Sequence, residues 1–102
     1  MVAQVGDKIS LNTQLTDKSN FTLMVLDDDP KIRKLYKDLL DKDGYQHVYV
    51  AANAAEAFEI LSKVTPDLIL IDVFLGKEKG FDFMKKVDGL GIPTNFVMIS
   101  AN

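Results

Sequence analysis

The sequence predicts an α/β fold in which a parallel β-sheet carries helices on both faces. Short apolar runs alternate with segments whose apolar residues recur at helical spacing, giving the order β-α-β-α-β-α-β. Three of these runs end in polar side chains, and folds of this class build their sites at the carboxyl ends of parallel strands. The composition, 47% hydrophobic and 26% charged, is that of one globular domain with a core.

The first strand and helix are the most clearly marked elements. The nearly continuous apolar run over residues 21–26 indicates a strand that is covered on both faces. Pro30 suits the first turn of a helix with Asp29 as its N-cap, and Gly44 marks the end of that helix. The apolar residues that recur at helical spacing between them are Ile32, Leu35, Tyr36, Leu39 and Leu40.

The same alternation continues along the rest of the chain. The remaining predicted elements are strands over residues 47–51, 68–71 and 96–99 and helices over residues 54–64 and 81–87. Asn53 is placed to cap the second helix. Phe81, Met84 and Val87 mark the third helix, which we expect to be short and to follow Gly80.

Charge and hydropathy exclude several classes of function. A net charge of −3 gives no basic field, so no nucleic acid is expected as a partner. No apolar run is long enough for a membrane span and no signal peptide is visible, which favours a cytoplasmic protein. Residues 1–20 are polar and form a predicted N-terminal extension or leader, within which residues 9–15 carry a weak strand pattern.

Three carboxylates are predicted to meet at one end of the sheet. Asp27 and Asp28 follow the first strand, and Asp72 follows the most apolar strand. Carboxylates brought together repel one another unless a cation lies between them, and oxygen ligands favour Mg²⁺ over zinc. The alternative is that such residues cap helices and face solvent, and this is the interpretation we adopt for Asp29.

Asp72 differs from the other two carboxylates because it follows a buried strand alone. A carboxylate in that position can act as a nucleophile toward phosphorus. Ser100, at the end of the neighbouring strand, can donate a hydrogen bond to a phosphoryl oxygen, or it can simply end that strand. A phosphatase with an aspartyl nucleophile is disfavoured, because Phe74 stands where its second acidic residue is needed.

In this order and spacing, residues 21–102 resemble the receiver domain of two-component response regulators. The segments that carry the resemblance are Met24-Val25-Leu26-Asp27-Asp28-Asp29-Pro30 with Ile32-Arg33, Pro66-Asp67-Leu68-Ile69-Leu70-Ile71-Asp72, Gly80, Ile92-Pro93 and Ile99-Ser100-Ala101. The resemblance implies a flavodoxin-like doubly wound sheet of strand order 2-1-3-4. It also implies a phosphoacceptor that catalyses at most its own phosphorylation and dephosphorylation, rather than an enzyme acting on other substrates.

The resemblance also assigns roles to individual residues. Asp72 matches the phosphorylated aspartate, Asp28 a direct Mg²⁺ ligand and Asp27 an acidic neighbour that binds the metal through water. The backbone carbonyl of Phe74 matches a further ligand, and Ser100 the residue that turns toward the phosphoryl group. The phosphoryl donor in this family is a phosphohistidine on a sensor histidine kinase or a phosphotransfer protein.

The chain departs from the family pattern in two places. Leu75-Gly76 stands where members of the family usually have Met-Pro. The sequence also stops after the fourth strand, before the lysine that pairs with the phosphoryl group in this family. We therefore expect an apolar edge on the fourth strand that is covered by the leader, by a second copy or by another polypeptide, and we favour a homo-oligomer with a structured leader. Lys8 in the leader is then a candidate to take the place of the missing lysine beside the phosphoryl group. The alternative function is a degenerate or engineered receiver-like module that acts by association without phosphorylation.

Overall fold

A computed structural model of the chain describes residues 18–72 and 77–99, with side chains at all of these positions except 77–79. Its elements are β1 (Thr22–Leu26), α1 (Pro30–Lys42), β2 (His47–Ala51), α2 (Ala54–Leu61), β3 (Leu68–Asp72), α3 (Lys77–Gly89) and β4 (Asn95–Ile99). The four strands form one parallel sheet in the order β2-β1-β3-β4. The predicted α/β class, element order and strand order are therefore confirmed.

The two central strands are buried on both faces, which explains their continuous apolar sequence. On one face, Leu23, Val25 and Leu70 pack in a cluster with Leu40 of α1. The opposite face packs against α2 and α3 through Met24, Leu26, Ile69 and Ile71 together with Ala57, Phe83 and Val87. Each strand therefore separates two apolar layers, and a polar residue is tolerated only where the strand ends.

Helix α1 begins and ends at the predicted signals. The Asp29 side chain accepts a hydrogen bond of 2.8 Å from the backbone N–H of Lys31, and Pro30 occupies the first turn. After the last turn the chain passes through Gly44, whose φ of +100° favours glycine. Leu35 and Leu39 remain 50% and 52% exposed, so the apolar stripe of α1 is wider than its contact with the sheet.

Helix α2 is shorter than predicted, ending at Leu61 rather than at residue 64. The Ser62 hydroxyl donates a hydrogen bond of 2.6 Å to the Glu59 carbonyl, and the Lys63 N–H donates to the Ile60 carbonyl three residues earlier. These short-range bonds tighten the chain into a turn before Pro66. The predicted N-cap is confirmed, because the Asn53 side chain accepts a hydrogen bond from the Glu56 N–H.

Helix α3 corrects two predictions. It begins at Lys77, so Gly80 lies inside the helix instead of preceding it. The helix has 13 residues, so it is also longer than the short element that was predicted. Of the apolar residues that mark it in the sequence, Val87 is buried and Met84 packs against the core, whereas Phe81 is 54% exposed. The side that meets the sheet runs through Phe83, Met84 and Val87 at spacings of one, three and four residues, as expected of a helix packed on a sheet.

The segment that precedes β1 is held against the turn between α1 and β2. The Lys18 ammonium donates a hydrogen bond of 2.9 Å to the Asp43 carbonyl and lies 5.4 Å from the centroid of the Tyr45 ring. The predicted strand over residues 9–15 and Lys8 lie outside the described residues. In the part of the chain that is described, none of the helices has the length and apolar character required to cross a bilayer.

Candidate functional site

Asp27, Asp28 and Asp72 form an acidic cluster at the carboxyl end of the sheet. Each contributes a carboxylate oxygen, and these oxygens all lie within 4.8 Å of one another. Strand register explains the meeting: Leu26 pairs with Ile71, so the residues that follow them emerge side by side. The side chains of Asp27 and Asp72 are buried, at 1% and 5% exposure, whereas Asp28 is exposed to solvent.

Asp27 is held in place by hydrogen bonds on both its backbone and its side chain. Its N–H donates to the Ala51 carbonyl at 3.1 Å, and its carbonyl accepts a hydrogen bond of 2.8 Å from the Arg33 guanidinium. Its carboxylate Oδ1 accepts a hydrogen bond of 2.8 Å from the backbone N–H of Asp29. Within the described residues no hydrogen bond reaches Oδ2, so this oxygen remains available to a cation.

The electrostatics of the cluster favour a cation. Burial raises the pKa of Asp27, the hydrogen bond from Asp29 lowers it, and the neighbouring charges of Asp72 and Asp28 raise it further, so that the net direction is upward. A carboxylate in this situation is stabilised either by a proton or by a positive charge placed between it and its neighbours. A divalent ion neutralises two negative charges, whereas a proton neutralises only one.

The donor set fits Mg²⁺. All ligand atoms available in the cluster are carboxylate oxygens, which suit a hard cation. Magnesium usually binds one or two carboxylates and retains several waters or phosphate oxygens, and the exposed position of Asp28 leaves the outer side of the cluster accessible to them.

The raised pKa of Asp27 predicts how the stability of the metal-free protein depends on pH. Between the ordinary carboxyl pKa of 3.8 and the raised folded value, the folded chain binds more protons than the unfolded chain. The contribution of Asp27 to the free energy of unfolding is therefore fully present below the unfolded pKa and is lost as pH rises through the folded pKa. We expect urea denaturation in the presence of a chelator to show this loss in the unsubstituted protein.

The matched variant for this measurement is Asp27→Asn. Its amide oxygen can still accept the hydrogen bond from Asp29, but it does not titrate. We expect a smaller loss of stability over the same pH range. An equal loss in both proteins would show that Asp27 is not the responsible group.

A cavity of about 250 Å³ opens beside the acidic cluster and was not anticipated from the sequence. It is lined by Asp28, Ala52, Asn53, Ala54, Phe58, Asp82, Phe83 and Lys86. The cavity is much larger than the roughly 30 Å³ occupied by one water molecule. It therefore gives a reacting group room to approach the cluster from the side of α2 and α3. A larger open cleft of about 580 Å³ at the edge of β2 shares no residue with the cluster.

The other predicted site residues have different outcomes. Asp29 caps α1 through its side chain, as the helix-cap interpretation predicted. Phe74 and Ser100 lie outside the described residues, as does the Leu75-Gly76 pair. The lone histidine, His47, is exposed on β2 and is absent from the acidic cluster.

Comparison with known proteins identifies a family and individual relatives. A family model described as the response regulator receiver domain matches residues 23–102. A protein-glutamate methylesterase/protein-glutamine glutaminase of Burkholderia thailandensis is 35% identical over 92 residues, covering 86% of this chain and 25% of the relative. The sporulation initiation phosphotransferase F of Bacillus subtilis is 34% identical over 68 residues, covering 67% of this chain and 54% of that protein.

Solved structures share the fold. A response regulator from Thermotoga maritima superposes with a TM-score of 0.69 and 32% identity over 80% of this chain and 67% of its own. The chemotaxis response regulator CheY4 of Vibrio cholerae superposes with a TM-score of 0.69 and 30% identity over 76% of this chain and 66% of its own. The chain therefore spans a quarter to about two thirds of the length of these relatives.

Proposed function

The chain belongs to the response regulator receiver domain family of two-component signalling, and we propose that it accepts a phosphoryl group on Asp72 in a reaction that depends on Mg²⁺. The observation that carries this proposal is the meeting of Asp27, Asp28 and Asp72 at the carboxyl end of the sheet. Two of these carboxylates can hold a cation while the third remains within reach of the same cation.

In the proposed reaction a carboxylate oxygen of Asp72 forms a bond to phosphorus. The bond between phosphorus and the donor nitrogen breaks, and its electron pair stays on the departing imidazole. Asp27 and Asp28 would hold Mg²⁺, which when bound neutralises negative charge on the phosphoryl oxygens. The hydrogen bond from the Asp29 N–H holds the Asp27 carboxylate in position before any ligand arrives, and the bond from Arg33 holds the Asp27 backbone carbonyl.

The donor that we propose is a phosphohistidine on a sensor histidine kinase or a phosphotransfer protein. The name of the Bacillus subtilis relative, a phosphotransferase, supports phosphoryl chemistry in a protein of this fold. The role is that of a cytoplasmic signalling protein, not of an enzyme with a separate substrate. The backbone carbonyl of Phe74 as a further metal ligand and Ser100 as a phosphoryl hydrogen-bond donor belong to the same proposal.

A second candidate function is association without phosphorylation. Within the described residues the outer edge of β4 pairs with no strand, and Phe96, Val97 and Met98 are only half-buried. An open strand edge with apolar side chains is a template for another chain. A protein that forms homo-oligomers through this edge can also be phosphorylated. Alternatively, association through the edge is its function and no phosphorylation takes place.

Incubation with acetyl phosphate separates the two functions. We expect the intact mass to rise by one phosphoryl group when Mg²⁺ is present and to remain unchanged when a chelator removes it. In that reaction the bond between phosphorus and the acetyl oxygen breaks and acetate leaves with the electron pair. An unchanged mass at saturating acetyl phosphate and Mg²⁺ would contradict the phosphoacceptor function, and a dimer found by sedimentation under the same conditions would then favour association.

A further inference from the structure

Tyr36 lies on the side of α1 that faces the sheet. It is half-buried and packs against a group of buried apolar residues. The members of that group are Leu23, Val25, Leu40, Tyr45, Leu70 and Ile99. This packing places Tyr36 on the face of the sheet that α1 covers, the face to which Leu70 and Ile99 also contribute side chains.

The direction of the Tyr36 side chain follows from helix geometry. Side chains of an α-helix lean toward its amino terminus and cover the preceding turn. Helix α1 starts at Pro30, three residues after Asp27, so its amino terminus lies at the carboxyl end of the sheet. The Tyr36 side chain therefore leans toward the end of the sheet at which β1 and β3 end.

The electrostatic surroundings of the phenol agree with this placement. Burial raises the pKa of Tyr36, and the negative charges of Asp27 and Asp72 raise it further. Tyr45 packs in the same apolar group, but the charge that raises its pKa beyond the effect of burial is that of Asp43, at the opposite end of α1. The phenol of Tyr36 thus shares the field of two members of the acidic cluster, whereas that of Tyr45 does not.

We propose that Tyr36 is a phosphoryl-binding residue that donates its hydroxyl hydrogen to an oxygen of the phosphoryl group carried by Asp72. This inference rests on the proposed phosphoacceptor function and adds to it a residue on the α1 side of the site. A phenol keeps its proton at neutral pH, so it is a donor at the pH at which the protein works. It supplies a hydrogen bond without adding a charge that would compete with the cation.

Packing alone makes no use of the hydroxyl. A phenylalanine would fill the same space against the apolar group, so Tyr36→Phe removes the hydrogen bond and keeps the ring. Tyr49 provides a matched control, because it is also half-buried but packs on the opposite face of the sheet, against α2 and α3. Tyr49→Phe makes the same chemical change away from the acidic cluster.

The test is a titration with beryllium trifluoride, a tetrahedral mimic of a phosphoryl group, followed by fluorine NMR in the presence of Mg²⁺. We expect Tyr36→Phe to bind the mimic about tenfold more weakly, the effect of losing one hydrogen bond to a charged group. Tyr49→Phe should bind it as the unsubstituted protein does. The urea midpoint of Tyr36→Phe should stay close to that of the unsubstituted protein, since the ring packing is retained.

The outcomes distinguish this inference from the function on which it rests. If the unsubstituted protein and Tyr36→Phe bind the mimic equally well, the role of Tyr36 is overturned and the phosphoacceptor function stands. A weakening of equal size in Tyr36→Phe and Tyr49→Phe also overturns it. If the unsubstituted protein takes up neither the mimic nor a phosphoryl group, both the function and the inference are wrong.

Discussion

Replacing Asp72 with asparagine will abolish the phosphoryl adduct that acetyl phosphate and Mg²⁺ produce on the unsubstituted protein. An amide has nearly the shape of the carboxylate but lacks the negatively charged oxygen that attacks phosphorus. The substitution also removes one of the three charges that repel one another in the acidic cluster. Intact mass spectrometry measures the adduct directly, and urea denaturation should show that the fold is retained.

The control is Asp88→Asn, which makes the same change on the exposed surface of α3. This variant should accept a phosphoryl group to the same extent as the unsubstituted protein. An adduct on Asp72→Asn equal in amount to that on Asp88→Asn would show that another residue is the acceptor.

Replacing Asp27 with asparagine will weaken Mg²⁺ binding by about 10- to 100-fold, the usual effect of removing a carboxylate that holds a metal ion through water. The same change will stabilise the metal-free protein at neutral pH. Burial and the charges of Asp72 and Asp28 disfavour the ionised form of Asp27, and asparagine carries no charge. Calorimetric titration with Mg²⁺ measures the first effect, and urea denaturation with and without Mg²⁺ measures the second.

Asp38→Asn is the matched control for charge. Asp38 is exposed on α1 and pairs with Lys34 at 2.9 Å, so its loss lowers the overall negative charge without touching the cluster. We expect its Mg²⁺ affinity to stay within about twofold of the unsubstituted value, as for a screened surface charge. Equal weakening in Asp27→Asn and Asp38→Asn would mean that the ion is held by the net charge of the protein and not by the acidic cluster.

The central part of the fold follows directly from the sequence, because its physical determinants are local. The strands β1 and β3 are buried on both faces, and only a continuous apolar run satisfies both layers. Asp29 and Asn53 carry side-chain oxygens that cap the helices following them, so the starts of α1 and α2 were predictable.

The rotation of a helix about its own axis is harder to predict from the sequence. In α3, Phe81 and Phe83 are equally apolar, and only packing against the sheet decides that Phe83 is buried. In α1, Leu35 and Leu39 continue the apolar stripe, yet the sheet contacts only part of it. The spacing of apolar residues predicts that a helix forms, whereas packing against the sheet determines which of those residues are buried.

The candidate site also has a part that the sequence predicts and a part that it does not. The proximity of Asp27, Asp28 and Asp72 follows from a topological rule, since adjacent parallel strands end at the same edge of the sheet. Tyr36 on α1 lies in the electrostatic field of Asp27 and Asp72, and Lys86 on α3 lines the cavity that Asp28 also lines. The positions of both side chains depend on how α1 and α3 are turned toward the sheet. The helical spacing of Tyr36 predicts that it lies on a helix, but not how that helix is turned toward the acidic cluster.

Identification of the modified residue tests the phosphoacceptor function most directly. The protein is treated with acetyl phosphate and Mg²⁺, the acyl phosphate is reduced with borohydride to a stable alcohol, and the digested peptides are sequenced by mass spectrometry. The proposed site predicts conversion of Asp72 alone. Conversion of Asp27, Asp28 or a surface carboxylate with Asp72 unchanged, or a phosphoryl group on His47, would contradict it.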